Sequence, residues 1–136
     1  MEKINVLISW SGDNYSATVS GEKVNGCIIV TNKTLDGVKK DFNEALEFHI
    51  EGCVKDGDEV AEWLQNHSYE LNFDFDTLAL LHSLDGVLTR AALSRATGIN
   101  EKQLGHYASG HRKPRPNQRE KIINGIHAIS KELVFS

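Results

Sequence analysis

The chain is poor in the residues that mark secreted and membrane proteins. Among 136 residues only Cys27 and Cys53 are cysteines, and no C-x-x-C occurs. That leaves no framework for a disulfide-stapled fold, a zinc site or a redox motif. The two thiols are expected to be small hydrophobes that never meet. Apolar runs reach four residues, as in Cys27-Ile28-Ile29-Val30, against the roughly 20 needed to cross a bilayer. The N-terminal stretch Met1–Trp10 lacks the apolar core and small-residue cleavage site of a signal peptide, so a cytoplasmic protein is expected. Proline occurs twice, and both copies, Pro114 and Pro116, fall in one loop.

What is present is an ordinary globular composition, 40% hydrophobic and 25% charged, long enough for one domain or two very small ones. The charge is unevenly divided. Residues 1–75 hold 14 acids and 6 bases, net −8; residues 76–136 hold 5 acids and 9 bases, net +4. Halves of opposite sign suggest two units with different partners, the acidic one facing a basic protein and the basic one nucleic acid. From charge alone, two ordinary solvated surfaces explain the pattern equally well.

The acidic half alternates as strands do. Ile4, Val6, Ile8 and Trp10 share one face, Gly12-Asp13-Asn14 signals a turn, and Tyr15, Ala17 and Val19 share the next face. The β-branched run from Cys27 to Thr31 reads as a central strand. A helix follows, with Thr34 as its N-cap, Asp36 in its first turn and Gly52 as its stop. Its apolar stripe is Leu35, Val38, Phe42, Ala45, Leu46, His49 and Ile50. Residues 60–64 suggest a further short helical turn, and Tyr69, Leu71 and Phe73 a last strand. The order is β-β-β-α-β, with the other sheet face, or the outer edge, left uncovered, which predicts association. His49 is expected to be a satisfied core histidine. Glu44, Glu47 and Glu51 read as a solvated helix face, since a paired-carboxylate hydrolase needs two acids converging from different elements.

Tyr15-Ser-Ala-Thr-Val19, then Gly26-Cys27, then Thr34 and the helix ending Glu44-Ala-Leu-Glu-Phe-His-Ile-Glu-Gly52 together resemble the HicB family of antitoxins, over about residues 3–55. In that family a Y-x-A strand leads to a P-G-C turn, a G-x-T step and a helix carrying E-A-L. Asn25 stands where the family's proline often is, and Asn32 where its glycine often is. The resemblance implies a degenerate ribonuclease-H-like unit without nuclease carboxylates. It also implies a small basic RNase toxin of the HicA family as partner.

The basic half reads as four helices. Asp76 opens one carrying Leu78, Leu81 and Leu84, which Gly86 ends. Thr89 caps the next, with Leu93 and Ala96 inward. Gly98 turns the chain, and Asn100 caps a third with Leu104 and Tyr107 inward, closed by Gly110. Asn117 caps the last, with Glu120 at the capping-box position and a stripe of Ile122, Ile123, Ile126, Ile129 and Leu133. Helix, glycine turn and helix make a helix-turn-helix. With the trailing Ala108-Ser-Gly-His-Arg112-Lys113-Pro114, the segment 76–133 resembles the Cro-like (Xre) class of regulator. Ser94 stands where an alanine is usual and is small enough to keep the packing.

In that motif the second helix enters the major groove and its early outward residues meet base edges. Here those are Asn100, Glu101, Lys102, Gln103 and His106. Arg90, Arg112, Lys113 and Arg115 would pair with phosphates, which fixes affinity and register without sequence information. Gly105 sits inside this helix, either for close approach to DNA or without consequence.

The expected architecture is α+β: a β-β-β-α-β domain at 1–75 followed by an all-α helix-turn-helix domain at 76–136. The expected function is that of an antitoxin that catalyses nothing, uses no metal or cofactor, neutralises a HicA-like toxin and represses its own operon as a homodimer or larger homo-oligomer on operator DNA. A stand-alone regulator with an N-terminal sensing or oligomerising half remains the alternative, and a ribonuclease-H-like enzyme a third.

Overall fold

A computed structural model describes residues 1–132. The chain is α+β, with a four-stranded mixed sheet and six α-helices among the described residues, and it divides into two compact units, Met1–Asp76 and Thr77 onward. Leu133, expected on the last apolar stripe, lies outside the described residues.

In the first unit the strands are β1 (Glu2–Trp10), β2 (Tyr15–Gly21), β3 (Gly26–Asn32) and β4 (Tyr69–Phe75), arranged β3-β2-β1-β4. The neighbours β1–β2 and β2–β3 are antiparallel, while β4 lies parallel to β1 with Ile4 opposite Leu71 and Ile8 opposite Phe75. A parallel return needs a crossover, and the crossover is α1 (Leu35–Lys55) with the short α2 (Glu62–Gln65). Alternation decides the buried face: Ile4, Val6, Ile8, Tyr15, Ala17 and Ile28 point inward, onto Val38, Phe42, Leu46 and Ile50 of α1. Phe73 meets Phe42 edge-on at 6.4 Å between ring centroids, and the Lys39 ammonium lies over the Phe73 ring, 5.3 Å from its centroid.

Thr34 caps α1 as expected, accepting from the Gly37 N–H at 3.0 Å. Asn32 supports that cap by accepting from the Thr34 N–H at 2.9 Å and donating to Asp41 at 2.9 Å. His49 is half-buried, and its Nε2 donates to the Val24 carbonyl at 2.7 Å.

Several expectations are corrected. The run Cys27–Thr31 is not central: β3 is an edge strand, Ile29 is 62% exposed and Cys27 is exposed too. A β-branched run fits any strand, so composition does not place it within the sheet. Gly52 does not stop α1. The helix runs to Lys55, is capped at Asp56 and is terminated by Gly57, which has φ 77°. The turn at 25 also has a physical reason to depart from proline. Asn25 has φ 57° and donates its N–H to Glu22, and proline can do neither.

The second unit contains α3 (Thr77–Leu84), α4 (Arg90–Thr97), α5 (Glu101–Ala108) and α6 (Pro116–Glu132). Leu81, Leu93, Ile99, Leu104, Tyr107 and Ile122 form its core, with Leu80, Leu84, Leu88, Ile126 and Ile129 packed around them. Ala96 is only half-buried. The expected cap at Asn117 is also corrected. The helix begins at Pro116, and the Arg119 N–H bonds the Arg115 carbonyl, so proline takes the first helical position, where it has no N–H to lose. Where α6 crosses α4, Gly125 is buried. A Cβ there would lie 2.7 Å from Thr97 Cγ2 and 3.1 Å from the Ala96 carbonyl.

Candidate nucleic-acid interface

The Thr89 side chain accepts from the Ala92 N–H and fixes the start of α4; Gly98 ends it in the left-handed region at φ 75°. Asn100 then starts α5, its Oδ1 accepting from the Gln103 N–H at 2.8 Å. Thr97 is buried in the corner, donating to the Leu93 carbonyl at 2.7 Å and accepting from the Ile99 N–H at 3.2 Å. Two short helices of eight residues each are thus held at a fixed corner by a glycine, two caps and a buried hydroxyl.

The residues expected to read bases fall into two groups. Glu101 and Lys102 are exposed on α5, and His106 follows Lys102 by one turn on the same face. Asn100 and Gln103 are already engaged. Asn100 caps the helix, and Gln103 Nε2 donates to the Tyr107 hydroxyl at 2.8 Å. Both carboxamides were expected among the residues that meet base edges, Asn100 also as the cap, and Tyr107 in the core. An N-cap signature is visible in sequence, but a hydrogen bond between side chains one turn apart is not.

His106 is held in an unusual setting. Its Nδ1 is buried without a hydrogen-bond partner among the described residues, and its ring lies 5.0 Å from that of His111. Burial lowers its pKa from the ordinary value of 6.5, and the positive fields of His111, Arg112 and Lys102 lower it further. His111, which sequence reasoning passed over, therefore belongs to this surface.

The expected phosphate contacts also separate. Arg112, Lys113 and Arg115 line one open cleft of about 450 Å³ with Gln103, Tyr107 and Gln118. The Arg112 N–H bonds the His106 carbonyl at 3.2 Å, which ties this loop to α5. Arg90 stands apart from the cleft lining, donating to Asp85 at 3.2 Å. Arg119 is directed inward and donates to the Thr77 hydroxyl at 2.6 Å.

No family model, curated protein or solved structure matches this chain. Function is therefore argued from the arrangement itself. Four of the expected residues, Gln103, Arg112, Lys113 and Arg115, share one cleft; Lys102 and His106 lie on the adjoining helix. Among the described residues no group of three or more His, Cys, Asp or Glu is placed to hold a metal ion, and no helix is long and apolar enough to cross a membrane. In chemical terms the surface can donate charge-assisted hydrogen bonds to anionic oxygens and offer a carboxylate and an ammonium to base edges.

Proposed function

We propose that the chain is a two-part antitoxin and autorepressor, whose helical unit binds duplex DNA as a helix-turn-helix and whose acidic sheet unit clasps a small basic toxin of the HicA kind. The observation that carries the DNA-binding reading is the corner of α4 and α5. It closes on Gly98 over the core of Leu93, Ile99, Leu104 and Tyr107, with Arg112, Lys113 and Arg115 gathered beside the second helix. A helix presented this way with cations at its flank fits a major groove and its bordering phosphates. Glu101, Lys102 and His106 would face base edges; the cleft cations would set affinity and register.

The toxin-binding reading rests on the HicB resemblance, the β-β-β-α-β order and the net −8 of residues 1–75. Opposite charge would speed encounter with a basic partner and disfavour wrong ones. A stand-alone regulator whose sheet unit oligomerises is the second reading, favoured by the exposed Ile29 and Phe48 of that unit.

The deciding experiment expresses the chain with the product of its neighbouring gene and measures co-purification, toxicity and binding to the shared promoter. Replacing Lys102 and His106 by alanine is expected to abolish promoter binding and leave neutralisation intact. Loss of both functions contradicts the division of labour. A neighbour that neither binds nor kills leaves the regulator reading in its place.

A further inference from the structure

Two features of the sheet unit lie together. The first is the free edge of β3. It pairs only with β2, and none of its seven residues is charged. Natural sheets usually blunt such an edge, and the opposite edge, β4, carries Glu70 and Asp74. The second is a groove of about 550 Å³ along that edge, walled by Cys27 and Ile29 of β3 and by Ala45, Phe48 and Gly52 of α1. Phe48 is 78% exposed, and a Cβ added at Gly52 would meet nothing within 4 Å.

The rim of the groove decides what fits it. Glu44 and Glu51 are exposed one turn to either side of Phe48. Asp56 and Asp58 are exposed at the C-terminal end of α1, where the helix dipole is also negative. None of these four forms an ion pair among the described residues. Lys55 is the one base between them, so four acids against one base leave this rim net −3. A second copy docked here about a two-fold axis would set the acids against their own counterparts. A cationic partner relieves their repulsion instead.

We propose that β3 takes an extended, basic segment of a partner protein as a fifth strand of the sheet, with its apolar side chains in the groove and its lysines or arginines on the acidic rim. Strand addition draws affinity from main-chain hydrogen bonds and specificity from sockets for alternate side chains. Successive side chains of a strand point to opposite faces. In β3 itself Ile28 is buried toward α1, while Ile29 is 62% exposed on the other face. Every second side chain of the added strand therefore turns toward α1, where Ala45, Phe48 and the space over Gly52 receive it. Glycine weakens a helix relative to alanine, but here it keeps that socket open. The inference deepens the toxin-clasp reading by naming where the partner is held and in what conformation, and it rests on that reading for the partner's identity alone.

Two probes test it on the full chain. The first is the peptide acetyl-Lys-Val-Arg-Val-Lys-Val-Arg-amide, titrated while amide hydrogen exchange is followed. Exchange at Gly26–Asn32 is expected to slow at sub-millimolar peptide. The same peptide methylated on its backbone nitrogens keeps its charge and is expected to lose the effect. Gly52→Leu fills the socket without touching the chain's own packing, and Phe48→Arg changes a position too exposed to hold the fold. Each should weaken binding by about tenfold or more, with melts no lower than those of the wild type. Asp56→Asn with Asp58→Asn should weaken it and flatten its salt dependence. Unchanged exchange of β3 at millimolar peptide, or equal binding of the methylated peptide, overturns the proposal. So does slowing of β3 with rising concentration of the chain alone, which gives the edge to a second copy. The second probe is the co-expressed product of the neighbouring gene. Its retention by the wild type and loss with Phe48→Arg supports the proposal and the toxin reading together. Equal retention by both chains overturns the proposal and leaves the toxin reading standing. A neighbour that is not retained, beside a peptide that binds, overturns the toxin reading alone.

Discussion

Gly105 and Gly125 are both helix-interior glycines of the same unit, and replacing each by alanine should move stability in opposite directions. Alanine gains about 1 kcal/mol over glycine in a helix interior. At Gly105 nothing lies within 4 Å of the added Cβ, so that gain stands unopposed. At Gly125 the Cβ would sit 2.7 Å from Thr97 Cγ2 and 3.1 Å from Ala96 backbone atoms. Thr97 cannot rotate away freely, because its hydroxyl is held by Leu93 and Ile99. Overpacking of this kind costs about 1–3 kcal/mol, which outweighs the propensity gain. Gly125→Ala is therefore expected to lose up to about 2 kcal/mol net, and Gly105→Ala to gain about 0.5–1 kcal/mol. For a unit of this size 1 kcal/mol shifts the midpoint by about 4–8 °C, within reach of calorimetry or urea melts. The same pair tests the DNA interface. Gly105 lies one turn after Lys102 on the presented face of α5, so the stabilised Gly105→Ala chain should bind promoter DNA more weakly than wild type. A Gly125→Ala chain as stable as wild type would refute the packing argument. A Gly105→Ala chain that binds DNA with full affinity would refute the close approach of that backbone.

The cleft cations give a second test: Arg112→Ala with Lys113→Ala should weaken binding to all DNA sequences alike and flatten the slope of log K against log salt by about two, one per lost phosphate contact. His106 gives a pH dependence. Its folded pKa is lowered, so the unfolded chain binds more protons as pH falls toward and below the ordinary value of 6.5; stability is complete above that value and declines below it. Urea melts between pH 5 and 8 should show this slope (the range brackets the ordinary imidazole value), and His106→Gln should reduce it. Asn25→Pro, the residue the HicB resemblance leads one to expect, should destabilise the sheet unit by about 2 kcal/mol or more because φ 57° and the donated N–H are both lost, whereas Asn25→Gly should be nearly neutral.

Periodicity made most of the core legible. Alternation placed Ile4, Val6 and Ile8 on one face, and three- and four-residue steps placed Val38, Phe42, Leu46 and Ile50 on another, because burial requires those spacings. Caps were legible at Thr34, Thr89 and Asn100, where a short polar side chain precedes an apolar stripe. Strand position was not legible, since β3 has the composition of a central strand and lies at an edge. Glycines were the least legible. Gly98 was read correctly as a turn, Gly52 incorrectly as a stop, and Gly105 and Gly125 look alike until their surroundings are known. The residue type only permits a conformation, and the neighbours decide whether it is used.

The same limit shapes the candidate interface. A carboxamide at the start of a helix can cap it or read a base, and the composition at Asn100 and Gln103 is identical under either use. The geometry engages one with the backbone and the other with Tyr107. Under the proposed DNA-binding function, base discrimination would then fall to Glu101, Lys102 and His106, of which Lys102 alone carries a fixed positive charge. Because burial and the positive fields around it lower the His106 pKa, a phosphate or a guanine oxygen arriving at this face would offset those fields and favour its protonation. Binding and proton uptake are then linked, so promoter affinity should rise as pH falls from 8 toward 6 (a window spanning the ordinary imidazole pKa), opposite to the trend in stability. Affinity that instead falls in parallel with stability would remove His106 from the interface.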